Sequence, residues 1–501
     1  MRPVFSSLWV GLILLAPAGC GGPAATAPQA APRHFEGVTL QVAVPDGEPA
    51  KTVVERYGRD WATREGVRLE VTPYEPAAGP DAVEGADLWL IEPASLGRLA
   101  AADRLAPLPD EYRRERPGEE GGRRYEWGTL LPLYRERLLR WGDRAYALPV
   151  LGEAPLCFYR LDLFVDPATQ ASFRARYQRQ LSPPATWEEF AGLAEFFNGR
   201  PGTSPSLPPL GGDDEIDRQF HALAASCAVR AAGGHNLPRD RDARGELFSF
   251  HCDFATGEPR VASPGFVYAL RLMQRLQACR IPADGKPGPE AFAAGKAVLC
   301  LADASWIRRF QKGPTKPRFG VCRVPGSQLV FDYATGKPES VAGGNYVPYL
   351  GAAGCLGVVP RDAARPEAAF ALLAELSGPE KARQIAIEPE WGGGVVRRDQ
   401  LSDAGGWSSF GLDQAQTTAL TQALQQTLAQ PGLANPATRL RLPREAEYRA
   451  ALLDEVRAVL AGKKDAEAAL KSAAERWRAL GPAEARRVEY AQSLGLTPRG
   501  G

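Results

Sequence analysis

The sequence predicts a large α/β protein with more than one lobe. Strands alternate with helices from residue 38 onward, the chain of 501 residues is too long for one typical core, and no apolar run past the leader is long enough to span a bilayer. Val38–Pro45 (VTLQVAVP) alternates apolar residues as a strand does. Ala50–Glu65 follows with Val53, Val54, Tyr57 and Trp61 at helical spacing, and Val67–Tyr74 (VRLEVTPY) reads as a second strand. Gly85–Pro93 (GADLWLIEP) is a third strand and Ala94–Leu105 a short helix. A parallel sheet with helices on its faces is the simplest architecture for this first lobe. Such sheets bind ligands beyond the carboxyl ends of their strands, where loops and helix N-termini converge.

Charge excludes two classes of partner. The 60 basic and 59 acidic residues cancel, so the overall charge recruits neither nucleic acid nor an anionic membrane.

The first residues predict export. Arg2 precedes an apolar run, Leu8–Ala16, that is too short to span a bilayer and has the build of a signal peptide. Ala18 and Gly19 lead into Cys20, which resembles the lipobox of bacterial lipoproteins, although Pro17 stands where that motif usually has leucine. The resemblance implies cleavage before Cys20 and a diacylglycerol on its thiol; the alternative is a plain signal peptide with an incidental cysteine. Residues 21–35, including GGPAATAPQAAP, have no pattern that could pack and read as a flexible tether.

Eight cysteines are present, and setting Cys20 aside leaves an odd number. In an oxidising compartment some should pair, and Cys227 with Cys252 and Cys300 with Cys322 are the expected bridges. With no C-x-x-C and four scattered histidines, no metal and no cofactor is expected.

Several phrases, in order, resemble the extracellular solute-binding proteins of ABC transporters, in particular the sugar-binding group that includes the maltose-binding protein. ADLWLIEP followed by ADRLAPLPDEY (Ala102–Tyr112) resembles a strand, helix and "L-x-P-L" phrase of that group. Arg144–Phe164 (RAYALPVLGEAPLCFYRLDLF) resembles its strand crossing between lobes, and Pro183–Phe190 (PPATWEEF) its "PPkTWeEl". Pro289–Trp306, Phe319–Gly326 and Tyr448–Trp477 resemble later phrases, including the closing helices. TWEEF is also simply a helix start, with Thr186 as N-cap and Glu189 three residues on.

The resemblance implies an α/β, two-lobed periplasmic-binding-protein fold, type II-like, with a hinge and an interlobe cleft. Lobe one is expected over 36–150 plus 326–385, and lobe two over 151–325 plus 386–495, after a signal peptide and lipobox at 1–20. Two stretches depart from the pattern, Asp110–Trp127 and Asn198–Glu215. Charge runs and Pro/Gly tracts usually mean solvated loops, which is the expectation for both; the alternative is that they cover the cleft or contact a partner.

A pyranose presents hydroxyls on its rim and C–H patches on its faces, so its site needs aromatic platforms and polar side chains. The expected ligand-binding residues are Asp46, Trp89, Glu92, Glu153, Trp306, Asn345, Tyr346 and Trp391, the last preceding Gly392–Gly394. Each aromatic has a place in the core or at the lobe interface as its alternative.

The implied protein captures a small solute, a sugar or oligosaccharide, by hinge closure and delivers it to an ABC transporter permease. It would be a monomer, moored outside the cytoplasm through its lipid, and would make or break no bond. The competing classes are a secreted carbohydrate-acting hydrolase and a transport-independent sensor or scaffold. No G-x-S-x-G, H-E-x-x-H or S-x-x-K with its partners supports the hydrolase, though paired carboxylates are spatial and escape such a check.

Overall fold

The computed structural model describes residues 34–47, 49–114, 125–231, 241–314, 319–388, 390–392, 394–429 and 436–497. The expected lipobox at Cys20 and the tether lie outside them, as does most of the charged stretch after Asp110.

Eight strands organise the two lobes: β1 (Thr39–Pro45), β2 (Arg68–Tyr74), β3 (Leu88–Ile91), β4 (Ala147–Leu151), β5 (Pro155–Arg160), β6 (Leu299–Asp303), β7 (Phe319–Arg323) and β8 (Cys355–Val358). Lobe one carries a sheet in the order β2-β1-β3-β8-β4, and lobe two a sheet in the order β6-β5-β7. The first three strands are parallel, as the strand and helix alternation predicts. The sheet as a whole is mixed, because β8 returns from the other lobe and pairs antiparallel with both β3 and β4. In lobe two β5 is antiparallel to both neighbours. The long helix expected after β1 is broken into Ala50–Tyr57 and Arg59–Glu65 at Gly58, where a Cβ would come within 2.5 Å of the Val54 carbonyl oxygen.

Buried side chains form two cores. Trp61 fills the first beneath the lobe-one helices, and Trp187 and Trp477 fill the second. The helix Trp187–Asn198 starts where TWEEF predicts: Thr186 accepts a hydrogen bond from the Glu189 amide at 3.3 Å, and Glu189 reaches back to the Ala185 amide at 2.8 Å. Among the described residues no helix is long and apolar enough to cross a membrane.

The chain changes lobes later than the sequence suggests. The hairpin Ser327–Phe331 and Pro338–Asn345 stays with lobe two, because the Asn345 amide donates to the carbonyls of Ser226 and Val229 at 2.6 and 2.7 Å. The return to lobe one begins at β8, so 326–350 belongs with lobe two. Conversely Val396 and Arg397, expected in lobe two, bond to Leu131 and to Ser377 of lobe one.

The expected disulfides are absent. Cys227, Cys252, Cys300 and Cys322 are all free thiols. Cys227 bonds to the Ser327 hydroxyl at 3.5 Å, and Cys252 lies in the isolated bridge to Pro259, so closeness in sequence did not bring their sulfurs together. The strand register instead sets Cys322 opposite Cys157 and Cys300 opposite Phe158. Burial pushes the Cys227 and Cys252 thiols up to about 12, so both stay protonated and unreactive near neutrality.

Candidate functional site

A cleft of about 1120 Å³ lies between the two lobes. Its lobe-one wall carries Thr52 and Arg56, on the helix that follows β1, together with Trp391. Its lobe-two wall carries Trp306 and Arg309 beyond the end of β6, and residues from Pro208 to Arg218. This is the placement that strand ends and converging loops dictate.

The floor is where the chain passes between lobes. Segments 152–154 and 351–354 join β4 to β5 and return to β8, and residues 394–395 run beside them. The backbones touch: a Cβ on Gly394 would stand 2.0 Å from the Gly152 carbonyl oxygen. Gly354 adopts φ +88°, and a Cβ there would meet the Leu151 carbonyl oxygen at 2.5 Å.

Glu153 ties the crossings together. Its carboxylate accepts hydrogen bonds from the amides of Gly351, Ala352 (3.3 Å) and Ala353 (2.9 Å), while its own amide donates to the Tyr134 hydroxyl at 3.3 Å. Burial raises Glu153 to about 7; the Gly351 and Ala353 amides pull it down, Asp303 pushes it up and Arg218 pulls it down. The folded chain therefore holds this proton more tightly than the unfolded chain, whose ordinary value is 4.5. The stability Glu153 contributes is fully present below about pH 4.5 and is lost as pH rises through about 7. Across that window wild type is expected to lose about 3 kcal/mol relative to Glu153→Gln, which carries no titrating group there. Urea midpoints of both proteins at pH 4.5 and 7.5 measure it, and parallel midpoints would overturn it.

Each tryptophan of the cleft carries an arginine over its ring. Arg309 sits 4.6 Å from the Trp306 centroid and Arg56 5.2 Å from that of Trp391. Phe310 stacks beside Trp306 at 6.2 Å, and Tyr57 meets Trp391 edge-on at 6.5 Å. Arg56 is ion-paired to Glu388 and Glu390 at 3.2 and 3.0 Å.

The other lining carboxylates are also engaged. Asp303 accepts from the amides of Ala154 (2.6 Å) and Ser305 (2.9 Å), and Glu215 from those of Gly211 (2.6 Å) and Gly288 (2.9 Å). Asp213 pairs with Arg457, and Asp214 with Arg449 at 2.5 Å. Each of these carboxylates therefore has at least one protein donor.

Of the residues read from sequence, Glu153, Trp306 and Trp391 line the cleft. The other five do not. Trp89 is 3 % exposed inside β3, so its core alternative holds. Asp46 and Glu92 are exposed and are not among the lining residues; Asp46 accepts from the Gly47 amide next to it. Asn345 spends its amide on lobe-two backbone, and Tyr346 is buried beneath Arg323, 4.1 Å above its ring. Strand ends locate a cleft correctly, but which side of a strand end faces it depends on packing that periodicity does not carry.

The sequence reading missed more than it placed. Pro208–Glu215, expected as solvated loop, walls the cleft, with Pro208 and Pro209 buried and the Leu207 amide bonded to the Cys279 carbonyl at 2.9 Å. The signal was the apolar LPPL within the Pro/Gly tract. Arg56, Arg218, Arg280 and Arg309 also line the cleft, and nothing in sequence distinguishes them from other surface arginines.

Residues 66–395 match the family model for bacterial extracellular solute-binding proteins, and this span contains every strand of the two sheets except β1, together with most of the cleft. The chain belongs to that family. Solved structures agree on the two-lobed fold. The family member shares 17 % identity and a TM-score of 0.62 with maltose-bound MalE3 of T. maritima, covering 89 % of this chain and 100 % of that one. It shares 18 % and 0.61 with an ABC transporter solute-binding protein from Agrobacterium radiobacter K84 in complex with ribitol, covering 89 % and 100 %. It shares 15 % and 0.61 with the GacH receptor of Streptomyces glaucescens, solved unliganded and with acarbose, covering 88 % and 98 %. No protein of curated function matches the sequence. At these identities what is shared is the fold, and the family is one of binding proteins rather than enzymes.

Proposed function

We propose that this solute-binding protein captures a sugar or sugar-like solute in the interlobe cleft by hinge closure and hands it to an ABC transporter permease. One observation carries the reading: the cleft has a tryptophan on each wall, Trp391 from lobe one and Trp306 from lobe two, above a floor of close-packed glycine backbones. Closure about the crossings brings two aromatic surfaces onto one solute and excludes water. The ligands named for the structural relatives, maltose, ribitol and acarbose, support the same class of solute.

The lining carboxylates hold backbone amides or arginines, which supports capture without chemistry. The N-terminal run ending at Cys20 supports a lipid mooring that keeps the receptor near its permease. A monomer suffices, since both walls come from one chain.

Thermal shift of the full-length chain against mono- and oligosaccharides, polyols, amino acids and polyamines tests the reading. A saturable rise in Tm with a sugar or polyol recovered intact is expected. A cleaved sugar, or a rise confined to amino acids or polyamines, would overturn it.

A further inference from the structure

The hydrogen-bonding inventory of the cleft is unbalanced. All six lining carboxylates, Glu153, Asp213, Asp214, Glu215, Asp303 and Glu390, already face protein donors. Of the five lining arginines, Arg56 and Arg449 are ion-paired, and Arg280 donates to the Pro208 carbonyl at 2.9 Å and to Gln219 at 2.7 Å. Arg218, on the helix Asp213–Ala228, and Arg309, on the helix Ile307–Lys312, have no hydrogen-bond or ion-pair acceptor among the described residues. Arg309 rests only on the Trp306 ring. Every lining carboxylate thus has at least one protein donor, whereas two of the lining guanidinium groups have no acceptor among the described residues.

In the open cleft this costs little, because both side chains are exposed and water solvates them. Closure changes the sign. A guanidinium withdrawn from water without an acceptor is strongly destabilising, whereas one that meets a carboxylate or phosphate forms short, bidentate, charge-assisted bonds. A neutral sugar offers these groups only hydroxyl oxygens, which accept their hydrogen bonds but leave the buried positive charge uncompensated, whereas an anionic one accepts the bonds and neutralises the charge.

We propose that the solute is an acidic sugar, whose carboxylate or phosphate is held by Arg218 and Arg309 while its ring lies against the tryptophans. The proposal rests on the sugar-capture reading and narrows it. The two arginines belong to one wall, so lobe two holds the anion and lobe one closes over the ring.

Isothermal titration of the full-length chain tests it with matched probes: glucose, glucuronate and glucose 6-phosphate, and maltose beside maltobionate, each at low and high salt. At least one anionic member of a set is expected to bind about 10-fold or more tighter than its neutral partner. That advantage should shrink with salt and vanish in the double variant Arg218→Gln, Arg309→Gln, whose melting temperature should match wild type because both side chains are exposed. The uronate and phosphate arms separate the two anions. Neutral sugars binding as tightly as their acidic partners, or an anionic preference that survives in the double variant, overturns this inference and leaves sugar capture standing. No binding by any probe, charged or neutral, overturns both.

Discussion

Replacing Arg397 with alanine is expected to lower stability by about 4 kcal/mol and the melting temperature by on the order of 10 °C. Arg397 is 0 % exposed and, among the described residues, forms no hydrogen bond or ion pair with a carboxylate. It donates instead to the carbonyls of Ser377 (2.9 and 2.7 Å), Glu126 (3.0 Å) and Tyr125 (2.9 Å) and to the Thr129 hydroxyl, with its guanidinium 4.8 Å from the Tyr125 ring centroid. Those acceptors close the loop around 125–129 onto the end of the helix Pro366–Leu376. Alanine would leave the buried Ser377 and Tyr125 carbonyls without the donors they have now, and a cavity the size of the side chain. Lysine should recover only part of the loss, since one ammonium cannot reproduce a planar fork that reaches three carbonyls. Thermal and urea unfolding of the three proteins give the comparison; an alanine variant within about 1 kcal/mol of wild type would refute the role.

Trp306→Ala and Trp391→Ala are each expected to weaken solute binding by about 10- to 100-fold while leaving the melting temperature of the free protein within a few degrees. Both rings are half-buried at the cleft surface rather than in a core. Each packs against an arginine at the cleft surface and one further ring, Arg309 and the buried Phe310 for one, Arg56 and the half-buried Tyr57 for the other. What truncation removes is a flat apolar surface, and phenylalanine should restore a good part of it. Titration of each variant with the solute found by thermal shift decides the matter: unchanged affinity in both would place the solute elsewhere. Trp89→Phe is the internal control, since that ring is buried in β3 and does not line the cleft.

The contrast between Trp89 and Trp306 shows how much of the site was legible. Both follow or end a strand in the sequence, and both carry the same chemistry. Trp89 pairs within β1 and β8 on a strand buried on both faces, whereas Trp306 lies three residues beyond β6, outside its ladder. Glu153 was legible because the crossing phrase resembles a family pattern; that it clamps 351–353 was not, since the partner amides lie about two hundred residues away in sequence. Pro208–Glu215 was misread because a Pro/Gly-rich tract has the composition of a loop whether or not another lobe faces it.

By itself the sequence determined the local elements and the class of protein. The alternation at 38–74 dictates strand, helix, strand because period-2 and period-3.6 patterns cannot exchange. Thr186 and Glu189 dictate a helix start because their side chains satisfy free amides at any such terminus. The ordered phrases imply the family, and the match over 66–395 shows it. Tertiary structure alone decided which strand returns to which sheet, which thiols face each other, which carboxylates are already engaged and which two arginines are not. Those are relations between residues up to two hundred positions apart, set by burial and backbone approach in three dimensions, and no local pattern encodes them.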